Sequence, residues 1–402
     1  MSATATIIIN QLQVCQNNLH KLIFKDDADA YDLLTIACAW AIFYALFFPI
    51  GKPLLRKATY GKGWLRKGIT KEVQRAGGWK AMNEAMGTDF TCEEEVIAHM
   101  MWTWADFQIG TFQHMIGGAL CIPSLLGIGD SNWSSSLAVL GILSEVGWEI
   151  EHLVVDVFYP RIRYGAEKVP MIVIIGSLIH HSLASGLGIP LMLRYRHWFV
   201  LHALSFDLQF GPALVAPLAE YGKLLDVANP IELRRFKIIN LLKVIIVGWT
   251  RGVHFVYLVV HAIVRWYNDK AWVFLIVGSP LLLAFTYYCC YFYVLGTVKT
   301  YLKFRNATAE YENVRDDTSK SVKQKRDSKA NLEDIARELF EEDENIDPAN
   351  QLTVFIGNMQ VGERQIDRRK TMPPRLTGSL KTTSMRLTRR GVSAPAGEWK
   401  LD

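Results

Sequence analysis

The chain has 402 residues, a net charge of +5, 50% hydrophobic residues and only 21% charged ones, at a mean hydropathy of +0.13. That balance excludes an ordinary soluble enzyme, and the basic residues gather in a few loops and toward the C-terminal end rather than in a patch suited to nucleic acid. The cysteines Cys15, Cys38, Cys92, Cys121, Cys289 and Cys290 have no CxxC spacing, so neither a disulfide framework nor a zinc ribbon organises the fold.

Residues 1–32 read as an N-terminal segment whose short apolar patch, Ile7 to Ile9, lacks a basic flank and a cleavage site. Stretches apolar enough to span a bilayer follow near 33–50, 96–128, 136–158, 169–193, 198–219, 238–264 and 271–298. The expected architecture is an all-α integral membrane protein, a bundle of seven transmembrane helices. A first transmembrane helix at 33–57 leads, a basic cytosolic loop occupies 58–92, and a six-helix membrane domain fills 93–305. A disordered cytosolic tail, Ser, Thr and Arg rich, completes the chain at 306–402.

Loop charge orients this map. Lys52, Arg56, Lys57, Lys62, Arg66, Lys67, Lys71, Arg75 and Lys80 crowd the first loop, whereas the next, GIGDSNWSSS, has no basic residue. Basic residues return at Arg161, Arg163 and Lys168, at Lys223, Arg234, Arg235 and Lys237, and at Lys299, Lys303 and Arg305; Arg194 and Arg196 are a local exception on the sparse side. The positive-inside rule then puts the amino terminus outside or in a lumen and the tail in the cytosol. The sequon at Asn132 falls on the side where glycosylation occurs. In the first loop, Trp64, Trp79 and the cations suit either the anionic leaflet or plain solvation. Within the tail, Leu332, Ile335, Ala336, Leu339 and Phe340 repeat as on an amphipathic helix near 330–343, a surface for a cytosolic protein partner. Arg389 and Arg390 before Ser393 resemble a basophilic phosphorylation site.

Ionisable groups inside spans are costly, so they face the bundle interior or a cavity. Glu145, Glu149, His152 and Asp156 share one face of the third span. Arg251, His254, His261 and Arg265 share one face of the sixth, and Asp106, Gly110, Gln113 and Gly117 make a small and polar stripe on the second. Alternating helix direction brings Glu149, His180, His181, Asp207 and Arg251 to similar depth, where they either line a polar chamber or neutralise one another as buried pairs. Metal is not expected: adjacent His180 and His181 project about 100 degrees apart on a helix, and no HxxxH or HxxHH box is present. A retinal site is excluded because Lys299 and Lys303 lie at the end of the last span.

The pair His180-His181 in the fourth span, followed by His202, Asp207 and Glu220 in the fifth, resembles the TLC-domain family, which includes the ceramide synthases. WTRGVHFVYLVVHAIVRW is similar to that family's penultimate helix, and TYYCCYFYVLGTVKTYLKF to its last. The resemblance covers roughly residues 90–305 and implies one leading helix plus a six-helix TLC-like domain in the endoplasmic reticulum or another endomembrane. It further implies a lipid bound in an intramembrane polar chamber, and acyl transfer with acyl-CoA as substrate rather than as a tightly bound cofactor. On this reading His181, His180 and Asp207 are catalytic, with Arg251, Glu149, His202 and His254 binding substrate. His181 shares its side with Ser177, Ser185 and Gly188, which favours it over His180 as the residue facing the chamber. The chain departs from the ceramide-synthase signature after the histidine pair: His202 is followed by Ala-Leu-Ser-Phe before Asp207, and Glu220 by Tyr221. A divergent lipid-handling protein, a non-enzymatic lipid sensor or trafficking adaptor, and a receptor or transporter all stay open.

Overall fold

The computed structural model describes residues 3–86, 88, 90–164, 171–317 and 320–344, and these form helices joined by short loops, with no strand among them. Within helices some side chains also fall outside the described residues, including those of Asp156, His180 and His181. By contacts the chain divides into Met1–Ile356 and Gly357–Asp402. All described residues belong to the first unit, and the expected phosphorylation site Ser393 lies outside them.

In chain order the helices are α1 (Ala3–His20), α2 (Ala30–Tyr60), α3 (Gly63–Arg75), α4 (Trp79–Ala85), α5 (Glu93–Gly110), α6 (Phe112–Leu126), α7 (Ser131–His152) and α8 (Tyr159–Tyr164). They continue with α9 (Met171–Tyr195), α10 (Phe199–Lys223), α11 (Pro230–Val247), α12 (His254–Asn268), α13 (Ser279–Tyr288), α14 (Gly296–Asp316) and α15 (Val322–Glu344). Five stretches among the described residues are long and apolar enough to cross a membrane: Ala30–Tyr60, Glu93–Leu126, Phe199–Lys223, Pro230–Asn268 and Phe274–Asp316. The first is started by a reciprocal cap. The Asp29 carboxylate accepts from the Asp32 N–H at 2.9 Å, and Asp32 accepts from the Asp29 N–H at 3.1 Å.

Of the seven expected spans, those at 136–158 and 169–193 are not among these five. The first of them falls on α7, whose serine-rich opening lowers its hydropathy and whose buried face wraps almost the whole helix, from Ser134 to Glu151. It packs against α2, α6, α9 and α10 and is the central helix of the bundle. Its Val139, Leu143 and Val146 join Leu33, Ile36, Leu204, Phe255, Leu258 and Trp266 in the largest apolar core. Gly147 permits a close crossing: a Cβ there would lie 2.4 Å from the Trp40 Cβ and 2.6 Å from the Ala37 carbonyl oxygen, so only glycine lets α2 and α7 meet.

The expected loop at 58–92 is largely helical. α3 lays Leu65, Ile69 and Val73 on Val96, Ile97, Met101 and Leu224, a burial that an open basic loop would forgo. Lys71 holds it to the α10–α11 turn, 3.1 Å from Asp226 and 3.5 Å from Glu232. Burial alone would raise the Asp226 carboxyl, but Lys71 and the Ala228 N–H outweigh it and keep it below its ordinary value of 3.8.

The expected disorder from 306 onward is also corrected for its first part. α14 continues to Asp316 and α15 follows, because Leu332 and Ile335 find a partner surface: they are buried against Leu225, Val227, Leu233, Phe236, Phe304 and Tyr311. The side chains of Ala336, Leu339 and Phe340, and all of 345–402, fall outside the described residues.

Two outcomes follow from this end of the bundle. Leu332→Ala should weaken α15 docking by roughly 2–4 kcal/mol and open the 317–321 connection to limited proteolysis, while the bundle melts as before. Because the Asp226 carboxyl is held low, its contribution is present at neutral pH and is lost as pH falls through that lowered value. Amide protection in α3, measured by hydrogen exchange, should therefore drop below pH 3.8 in the wild type, and Lys71→Met should already show the loss at pH 7.

Candidate functional site

Asp207 sits in the long apolar helix α10 and is fully buried. An isolated carboxylate there would be prohibitive, so its surroundings must supply donors and positive charge. Three features of local sequence supply them. Pro212 has no N–H, which leaves the Leu208 carbonyl without its helical donor. Gly211 lets the next element come close: a Cβ there would lie 2.6 Å from Thr250 Oγ1. That element is a π turn, Gly248–Val253, joining α11 to α12.

Arg251 in the π turn fills the vacancy. Its guanidinium donates to the Leu208 carbonyl at 2.8 Å and to the Asp207 carbonyl at 3.0 Å, so the cation is pinned to the α10 backbone beside the carboxylate. The wider turn also stacks residues five apart: the Trp249 and His254 rings lie 5.1 Å apart at 12°. His254 Nδ1 is 2.7 Å from Asp207 Oδ2. A carboxylate can only accept, so Nδ1 donates and, in the neutral ring, Nε2 keeps its lone pair. Asp207 Oδ1 is buried and meets no donor among the described residues. Cys290, in the π turn Cys289–Leu295, donates its thiol to the Arg251 carbonyl at 3.7 Å.

The other expected site residues are distributed differently. Glu149 is buried on α7 and accepts from Ser185 of α9 at 2.9 Å. His202 is fully buried with both ring nitrogens engaged, by Ser124 Oγ and by the Arg196 carbonyl, each at 2.6 Å. It ties the end of α6 to the turn before α10 instead of facing Asp207. His180 and His181 lie on α9, but their side chains are outside the described residues. Asn132 is exposed in the first turn of α7, where Asp130 caps the helix through the Trp133 N–H. Of the expected polar stripe on the second span, Asp106 instead forms a two-pronged ion pair with Arg56 of α2.

Some contributors carry no chemical motif. Gln209 donates to the Gly141 carbonyl at 3.2 Å and to Ser205 Oγ at 2.8 Å, locking α10 to α7 two residues along from Asp207. Gln113 is wholly buried, and neither amide atom has a partner among the described residues. Gln113 belongs to the polar stripe read from the sequence, and Gln209 could have been noticed as an amide in an otherwise apolar span. Pro212 could have been noticed only by asking which donor replaces its missing N–H.

Gly211→Ala should push the π turn off α10 and lower stability by roughly 1–3 kcal/mol. Adding Thr250→Ala, which removes the nearest atom, should restore part of that loss; thermal unfolding of the single and double variants reads the coupling.

Compared with known proteins, the chain matches no family model, no curated protein and no solved structure.

Proposed function

We propose that the chain is a seven-span protein of TLC type, in the endoplasmic reticulum or another endomembrane, that binds a lipid at the Asp207–Arg251–His254 cluster and transfers an acyl chain there. The observation that carries the proposal is the fully buried Asp207 carboxylate, inside a span of apolar character, whose Oδ1 meets no donor among the described residues. A buried acceptor left unpaired costs about 1–3 kcal/mol or more, and a lipid amine or hydroxyl would satisfy it. Acyl transfer, with acyl-CoA as donor, is what the likeness to the TLC family implies for such a site. The seven-span count adds α7 and α9 to the five apolar helices, with the charged loops and the tail facing the cytosol.

A second reading, a non-enzymatic lipid sensor or adaptor, is favoured by α15. Its Leu332 and Ile335 tie the start of the tail to the ends of α10, α11 and α14, so a change in the bundle has a mechanical route to the tail.

Extraction of the purified protein in mild detergent should release a stoichiometric lipid, quantified by mass spectrometry. Asp207→Asn, which keeps the shape and removes the charge, should lower its retention about tenfold or more. A wild-type protein that carries no lipid, or an Asn variant that retains it fully, would contradict lipid binding at this cluster. In sealed microsomes, added protease should cut the chain beyond α15 and leave Asn132 protected; a tail that stays intact would reverse the orientation.

A further inference from the structure

From the same site we infer that His254 is the general base of the acyl transfer, and that it meets its substrate from the side of the bilayer. The inference rests on the proposed function. Three observations carry it. First, the ring is oriented as a base must be: Nδ1 is held at 2.7 Å by a carboxylate that is itself fully buried, so the tautomer with the hydrogen on Nδ1 is fixed and Nε2 is presented as an acceptor. No hydrogen bond from the described residues reaches Nε2, since the ring's contacts are Asp207 and the stacked Trp249.

Second, base and orienter differ in access. Asp207 is closed off, whereas the His254 side chain is 25% exposed. Its neighbours Trp249, Val253 and Tyr257 are among the most outward side chains of the segment, at 55%, 72% and 58% exposure. An apolar outward face on a spanning helix meets acyl chains, so a lipid already in the bilayer reaches Nε2 without first entering the bundle.

Third, positive charge is in place and immobile. Arg251 is fixed to the Asp207 and Leu208 carbonyls and stabilises the carboxylate that will face an imidazolium. Other histidines offer less: His202 has both nitrogens occupied.

The step is a transfer from a long-chain acyl thioester to a lipid amine. The amine nitrogen attacks the thioester carbonyl carbon, forming the N–C bond while Nε2 takes the proton from nitrogen. The C–S bond then breaks, and the thiolate leaves with that proton returned from Nε2. Asp207 holds the ring through Oδ2 and transfers no proton in this step, while its Oδ1 is the acceptor proposed for the lipid's polar group.

The test uses full-length protein in phosphatidylcholine nanodiscs, with octadecanoyl-CoA as donor and dodecylamine as acceptor, and follows the amide by mass spectrometry. Wild type should form it. His254→Gln, which keeps a donor toward Asp207, should lower kcat about 100-fold or more, a loss larger than any accompanying change in KM or in co-purified lipid. His254→Asn serves as a second variant should the first misfold. Asp207→Glu should keep more turnover than Asp207→Asn, with the difference in kcat. No amide from wild type, wild-type kcat in His254→Gln, or a 100-fold loss confined to His181→Ala would each overturn the assignment. Wild-type protein without bound lipid would instead overturn the proposed function beneath it.

Discussion

The interaction on which the bundle depends is the enclosure of the Asp207 carboxylate by groups from a second helix pair. A charge that deep demands compensation, and the compensation dictates geometry. α10 must have a carbonyl to spare, which Pro212 provides. The facing segment must come within a side chain's thickness, which Gly211 permits. It must also widen to aim Arg251 and His254 together, which the π turn achieves. These parts are coupled: a proline without Arg251 leaves the Leu208 carbonyl unsatisfied, and an arginine without the proline loses the acceptor that the proline frees.

Around this contact the packing is graded. α7 fills the centre through serine, alanine and glycine at its tightest crossings, so helices approach backbone to backbone. Several buried polar residues are locally paired: Glu149 with Ser185, Gln209 with Gly141 and Ser205, and His202 with Ser124. Such pairs hold register. The Asp207 cluster differs from these pairs because it reaches the outward face through His254 and leaves one carboxylate oxygen without a donor among the described residues. At the opposite extreme of polarity, α3 and α15 are bound by small apolar contacts and surface ion pairs, and these are the parts expected to open first.

Much of this was readable from the chain. Polar residues in apolar stretches named Asp207 and Arg251, and the spacing of Arg251 and His254 put the two on one helical face. What spacing could not supply was the partner of each group. His254 reads as a substrate contact because its bond to Asp207 spans 47 positions of sequence and needs the π turn, which shifts the register that a regular helix would predict. Depth alone grouped Glu149 with Asp207, but the bond from Ser185 to Glu149 depends on rotation about each helix axis, which depth does not supply. The tail looked disordered because Leu332 and Ile335 are few among charged neighbours; the surface that buries them comes from α10, α11 and α14, far away in sequence. The same distance hid α3, whose basic residues advertise a loop while Leu65, Ile69 and Val73 bury beneath them.

The central claim is that a lipid's polar group completes the Asp207 cluster. An electron cryomicroscopy map of the protein in nanodiscs made from its own membrane lipids tests it most directly. The account predicts lipid density entering beside Trp249 with a polar atom within about 3 Å of Asp207 Oδ1 or His254 Nε2. A cluster closed on itself, with lipid confined to the outer surface and His254 Nε2 bonded within the protein, would contradict it.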